Sequence, residues 1–205
     1  LRRETLRKMT DLQKKLDELM QDENSLTFEE VSKRLQSLAL PREAQTLPLI
    51  AAMKNGDFDQ AKKELEALQE QMESSELSEE EREELAKALE ALAKQLEKLA
   101  SANESLSSAL SAAGLNGALA SNPEAAKKAI ENASELNEEQ KKKLLELLEA
   151  QQNASKMCEK MAEGCKKCAK GEGAQAMASE LEKMEAMQMF LTDAEIAKMT
   201  CQSAC

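Results

Sequence analysis

A chain of 205 residues with no His, no Trp, no Tyr and three Phe cannot build its interior in the usual way. Aromatic side chains supply the largest buried areas in most cores, so here stability has to come from many smaller aliphatic contacts repeated along long elements. The residues that dominate, Ala, Leu, Glu, Lys, Gln and Met, are good helix formers, and the β-branched and aromatic types that strands favour are scarce. The expected fold is all-α, an elongated array of antiparallel helical hairpins with coiled-coil character and a small C-terminal helical bundle. Three segments are expected: N-terminal helices with a heptad seam over 1–40, hairpins with a long coiled-coil-like helix over 41–137, and a Cys/Met-rich bundle over 138–205.

The missing imidazole also removes whole classes of chemistry. Ser-His-Asp and Cys-His nucleophiles, His-ligated zinc or haem and His-mediated proton transfer are closed to this chain. A net charge of -11 repels phosphate backbones and almost no ring exists to stack on a base, which argues against nucleic acid as a partner. No window holds the ~18 to 20 consecutive apolar residues of a membrane span. The longest uncharged apolar stretch, Leu47 to Met53, is short and contains Pro48. A sequence starting at Leu1 is compatible with a leading signal or anchor segment having been removed, so compartment is open.

Along the chain, Thr5, Met9, Leu12, Leu16 and Leu19 alternate spacings of four and three, a narrow seam on a helix seeking a partner. Arg2, Arg3, Arg7 and Lys8 make its start basic. Thr27 with Glu30 reads as a capping box that starts a helix near Phe28 and ends it before Pro41. The run Lys54-Asn55-Gly56-Asp57-Phe58-Asp59-Gln60-Ala61 resembles the turn and second-helix start of a tetratricopeptide repeat. The resemblance covers about half of one ~34-residue unit and implies a helix-turn-helix in which Phe58 and Ala61 pack between helices.

Ser78 with Glu81 forms a second capping box, opening the most periodic part of the sequence. Leu85, Leu92, Leu99 and Leu106 recur every seven residues, and Leu89, Leu96, Asn103 and Leu110 fill the alternate seam positions, which predicts one helix of ~33 residues. Leu85, Leu89, Leu92, Leu96 and Leu99 are candidate packing or interface anchors, and Asn103 a candidate register-setter. Asn122-Pro123 starts a short helix, and Asn137 with Gln140 a long one reaching Lys170. Gly171-Glu172-Gly173 ends it. Thr192 with Glu195 predicts a separate last helix from Asp193 to Cys205. The four Leu-led starts at 27, 78, 137 and 192 are roughly evenly spaced, as in a repeated helical pair.

All five Cys fall near the end: Cys158, Cys165, Cys168, Cys201 and Cys205. A chain reversal at Thr192 would bring Cys165 and Cys168 to Cys201 and Cys205, whereas a continuous helix would leave Cys205 ~50 Å from the Gly turn. Three readings compete: disulfides among those four, Zn(II) held by the same thiolates, or reduced thiols acting as small buried hydrophobes. Disulfides would favour an extracytoplasmic or cell-envelope location. Met157, Met161, Met177, Met184, Met187, Met189 and Met199 lie in the same region, a thioether and thiol supply that suits Cu(I) and equally suits core filling or an adaptable binding surface.

The expected function is therefore a non-enzymatic structural, scaffolding or oligomerising protein acting through helix contacts with a protein partner or with further copies. Met9, Leu12, Leu16 and Leu19 offer a second interface beside the Leu85–Leu99 seam. The alternative is a soft-metal binder using Cys and Met, and a thiol redox enzyme is a third class. No cofactor is implied.

Overall fold

The computed structural model describes residues 14–15, 23–41, 45–75 and 77–203, and among them the regular structure is helical throughout, with no strand. In chain order the elements are α1 (Glu23–Gln36), α2 (Leu47–Asn55), α3 (Phe58–Glu73), α4 (Glu79–Ala100), α5 (Glu104–Ala112), a 3-10 turn (Gly117–Ser121), α6 (Pro123–Asn132), α7 (Glu138–Ala169) and α8 (Gln175–Ser203). None of them is long and apolar enough to cross a membrane.

The helix starts show the capping chemistry directly. Ser78 accepts from the Glu81 amide at 3.2 Å while the Glu81 carboxylate takes the Ser78 amide at 2.9 Å. Asn137 and Gln140 make the same reciprocal pair at 2.9 and 3.0 Å. Between α2 and α3, Gly56 takes a left-handed φ of 73°, Asp57 caps the Gln60 amide at 3.1 Å, and Phe58 and Ala61 are buried. The turn predicted by the tetratricopeptide resemblance is thus present, and α2 and α3 pack on each other across it.

The long helix α7 is the element the others share. Its second half lies against α4, α1 and α8, and its first turns lie against α5 and α6. One core joins Val31 and Leu35 of α1, Leu49 and Ile50 of α2, Phe58 and Leu65 of α3, Leu85 to Leu96 of α4, Met157, Met161 and Cys165 of α7, and Met177, Leu181 and Met184 of α8. All three sequence segments therefore feed one interior. A second core, Leu106, Leu110, Ala120, Ala126, Ile130, Leu136, Leu144 and Leu148, gathers α5, the 3-10 turn and α6 on the start of α7. Ring packing is confined to Phe28 and Phe58, edge-on with centroids 6.1 Å apart. Aliphatic burial does the rest, at about 1.5–3 kcal/mol for each fully buried Leu or Met side chain.

Small residues set how closely the helices approach. Ala150, Ala154 and Ala162 of α7 and Ala93 of α4 are fully or almost fully buried. Gly164 is tighter still, since a Cβ there would sit 2.5 Å from the Met177 backbone nitrogen and Cβ. The α7–α8 turn closes with Gly171 at φ 72° and Gly173 at φ 88°, and the Glu172 amide donates to the Lys167 carbonyl at 2.9 Å.

Three sequence expectations change. The helix that was to start at Thr27 already includes Glu23, and Thr27 is a buried interior residue. The ~33-residue helix is broken at Ser101–Asn103 into α4 and α5, so Asn103 flanks α5 and holds no seam position. Ser101 folds its hydroxyl onto the Lys98 carbonyl at 2.8 Å, the local competition with the helix ladder that polar residues offer. The start at Thr192 is absent too: α8 runs through it without a break, and its Oγ1 donates back to the Gln188 carbonyl at 2.9 Å. With two of four starts lying inside helices, the repeat loses half of its markers.

Gly164→Ala should destabilise the protein by about 1–3 kcal/mol, because the added methyl meets backbone and the helices must part. The urea midpoint reads the effect; an unchanged midpoint would mean that α7 and α8 do not cross this closely.

Candidate functional site

The thiols resolve differently from their expected clustering. Cys158, Cys165 and Cys168 line one face of α7, all buried and all unbridged. Cys165 Sγ lies 3.2 Å from Met177 Sδ, a sulfur pair held in place by the close α7–α8 crossing at Gly164. Because α8 is continuous, Cys201 sits ~39 Å along it from Gln175 at 1.5 Å per residue, far from the turn that adjoins Cys168. The reversal that was to bring four thiols together does not occur. The side chain of Cys201, and Cys205 altogether, lie outside the described residues. No group of three or more Cys, Asp or Glu suited to a metal ion occurs among the described residues. Among the described residues no disulfide is seen.

Burial also fixes the protonation of these thiols. It pushes Cys165 well above the ordinary thiol range, with the neighbouring Cys168 adding to the effect. Cys168 is raised to about 11, by burial first and then by the charge of Glu73. At neutral pH both are protonated and therefore poor nucleophiles.

The Leu seam is spent inside the molecule. Leu85, Leu89, Leu92 and Leu96 are buried in the main core where α4 meets α7, and Leu99 is partly buried beside them. Leu85, Leu89, Leu92 and Leu96 are packing anchors with no surface left for a partner, while Leu99 keeps some surface. The other seam, Met9, Leu12, Leu16 and Leu19 with Thr5, lies outside the described residues.

A polar junction that the sequence reading did not single out joins α1, α4 and α7. Arg34 is 5% exposed, and its guanidinium donates to the carbonyls of Ala102 at 2.8 Å, Gln151 at 3.4 Å and Ala100 at 3.5 Å, and to Ser155 Oγ at 3.1 Å. Gln151 Nε2 adds a second donor to the Ala102 carbonyl. The Ala100 and Ala102 carbonyls are acceptors released where α4 ends, so the break at Ser101–Asn103 and the buried cation complement one another. The signal was in the sequence: Arg34 falls within the apolar stripe Val31, Leu35, Leu38. A cleft of about 580 Å³ opens alongside, lined by Lys33, Arg34, Gln95, Lys98 and Glu104 among others. Arg34 spends its terminal nitrogens on the junction and serves as a tie between helices.

The surface feature that stands apart is the far part of α8. Up to Glu185 this helix is tied to its neighbours, with Glu180 paired to Lys160 at 3.4 Å and Glu182 and Glu185 to Lys62 at 3.9 Å. Beyond it, large apolar side chains face solvent: Met189 is 62% exposed, Phe190 43%, Ile196 53% and Met199 60%. Met189, Thr192, Ile196 and Met199 are spaced three, four and three, which places them on one stripe. At 100° per residue this stripe is turned roughly 70° from the buried Met177, Leu181 and Met184. Asp193 and Glu195, both exposed, border it on either side. On the opposite side of α8, a groove of about 240 Å³ runs between Ala186, Met187, Phe190 and Leu191 and the start of α1 at Asn24 and Ser25.

Compared with protein-family models, with curated proteins and with solved structures, the chain matches none.

The thiol environment carries a pH dependence. A group whose folded pKa is raised contributes stability that is complete below its unfolded pKa of about 8.5 and is lost as pH climbs through the folded value. For Cys168 that window ends at about 11. Stability should therefore fall from pH 8.5 to 11, and Cys168→Ala should flatten the slope in urea titrations at successive pH values. Equal slopes would show that the thiol ionises freely in the folded chain.

Proposed function

We propose that the protein is a non-enzymatic structural module, scaffolding or oligomerising, that acts through helix-to-helix contacts. The observation that carries this reading is the exposed apolar stripe Met189, Thr192, Ile196 and Met199 on α8. Contiguous apolar surface at helical spacing is what a docking helix covers, and its narrowness suits a coiled-coil seam. Two exposed Met side chains add an adaptable lining. The Leu85–Leu99 seam does not contribute to such contacts, because α4 uses it to bind α7.

The competing reading, a Cu(I) or Zn binder, has one observation in its favour, the 3.2 Å approach of Cys165 to Met177. A sulfur pair buried in an apolar core is equally well described as core packing. Raised thiol pKa values weigh against a redox enzyme built on Cys165 or Cys168.

The test is sedimentation of the full chain over a range of concentrations, beside a variant carrying Ile196→Asp and Met199→Asp. The chain should associate with concentration and the variant should not, while the urea midpoint shifts by less than about 0.5 kcal/mol in equivalent stability because both sites are exposed. A chain that stays monomeric throughout and matches its variant would contradict the oligomerising function.

A further inference from the structure

We propose that the exposed seam of α8 receives the N-terminal segment of a second copy of the chain, through Met9, Leu12, Leu16 and Leu19. The inference rests on the helix-contact reading above and names the occupant. Met9, Leu12, Leu16 and Leu19 are spaced three, four and three, as are Met189, Thr192, Ile196 and Met199. Laid antiparallel, Leu19 meets Met189, Leu16 meets Thr192, Leu12 meets Ile196 and Met9 meets Met199, the alternating layers of a two-stranded seam.

Charge favours this pairing over its nearest rival. In the antiparallel register Lys15, which is helical and exposed, falls beside Glu195 of the other chain. Two α8 seams docked on each other would instead set Asp193 against the partner's Asp193 and Glu195 against the partner's Glu195, like charges in flanking positions.

Connectivity favours a second copy over the same chain. The segment joins α1 at Glu23, and Asn24 and Ser25 border α8 on the side of Met187, Phe190 and Leu191. At 100° per residue that side is roughly opposite the exposed seam. The start of α1 therefore stands on the side of α8 away from the seam, and the seam faces outward. Reciprocal exchange gives each dimer two such seams related by a two-fold axis.

Mixed oxidation tests the assignment in the full chain. Two variants are made, each with Cys201→Ser and Cys205→Ser, one adding Leu12→Cys and the other Ile196→Cys. The three thiols on α7 stay buried and out of reach. Mild oxidation of the mixture should give, as the dominant product, a disulfide dimer of one chain of each kind, with twice the chain mass. Adding Lys15→Glu should reduce its yield, and adding Glu195→Lys to the other chain should restore it. If the Ile196→Cys chain instead couples to itself, the segment is the wrong occupant although helix docking at this face stands. If neither chain couples and both sediment as monomers, the helix-contact reading fails together with the inference.

Discussion

The packing of α7 against its neighbours is the contact on which the rest of the structure depends. A chain with three Phe has few large side chains to anchor an interior, so area must be buried by length and by close approach. Over 32 residues α7 offers alanines and Gly164 where neighbours come nearest, and Leu, Met and Cys between them. Two cores meet on this helix, one at each end of its length. Interiors pack at crystal-like density, so a helix shared by both transmits any displacement to α1, α4, α5, α6 and α8 together.

Arg34 completes this arrangement with polar contacts that the aliphatic ridges cannot supply. Its partners are carbonyls and a hydroxyl, and the excess negative character at the end of α4 offsets its charge. Removing the guanidinium would take one donor from each of the Ala100, Ala102 and Gln151 carbonyls within a buried junction, which is how such residues enforce one helix arrangement among several. The junction also fixes where α4 stops and α5 begins, and with it the division between the two cores.

Local chemistry in the sequence translated well where a single turn decides the outcome. The boxes at Ser78 and Asn137, the Asp57 cap with its left-handed Gly56, and the Gly171–Gly173 reversal all stand where their residues place them. Thr27 and Thr192 show the limit of that logic, since a Thr followed by a Glu three residues on also fits a helix interior. The break at 101–103 was hidden because Leu106 and Leu110 keep the heptad spacing across it, and the competing acceptors for Arg34 and Gln151 come from residues far away in sequence. For the same reason the Leu85–Leu99 seam was legible as a seam while its partner, α7 of the same chain, was not. The exposed stripe on α8 was masked by its neighbour: Met177 and Met184 belong to the core, Met189 and Met199 to solvent, and a change of face along one helix leaves no break in composition.

Buried sulfur and exposed sulfur therefore divide the C-terminal region into an interior and a surface, and the surface is where contact with another helix is read. That division depends in turn on α7 holding the first half of α8 rigid. Native-state hydrogen exchange along α7 tests this dependence most directly. If both cores are organised on this helix, the amides from Ala150 to Cys168 exchange slowest in the chain, and only through global unfolding. Amides there that exchange faster than those of α4, or that open in two independent blocks, would contradict the account.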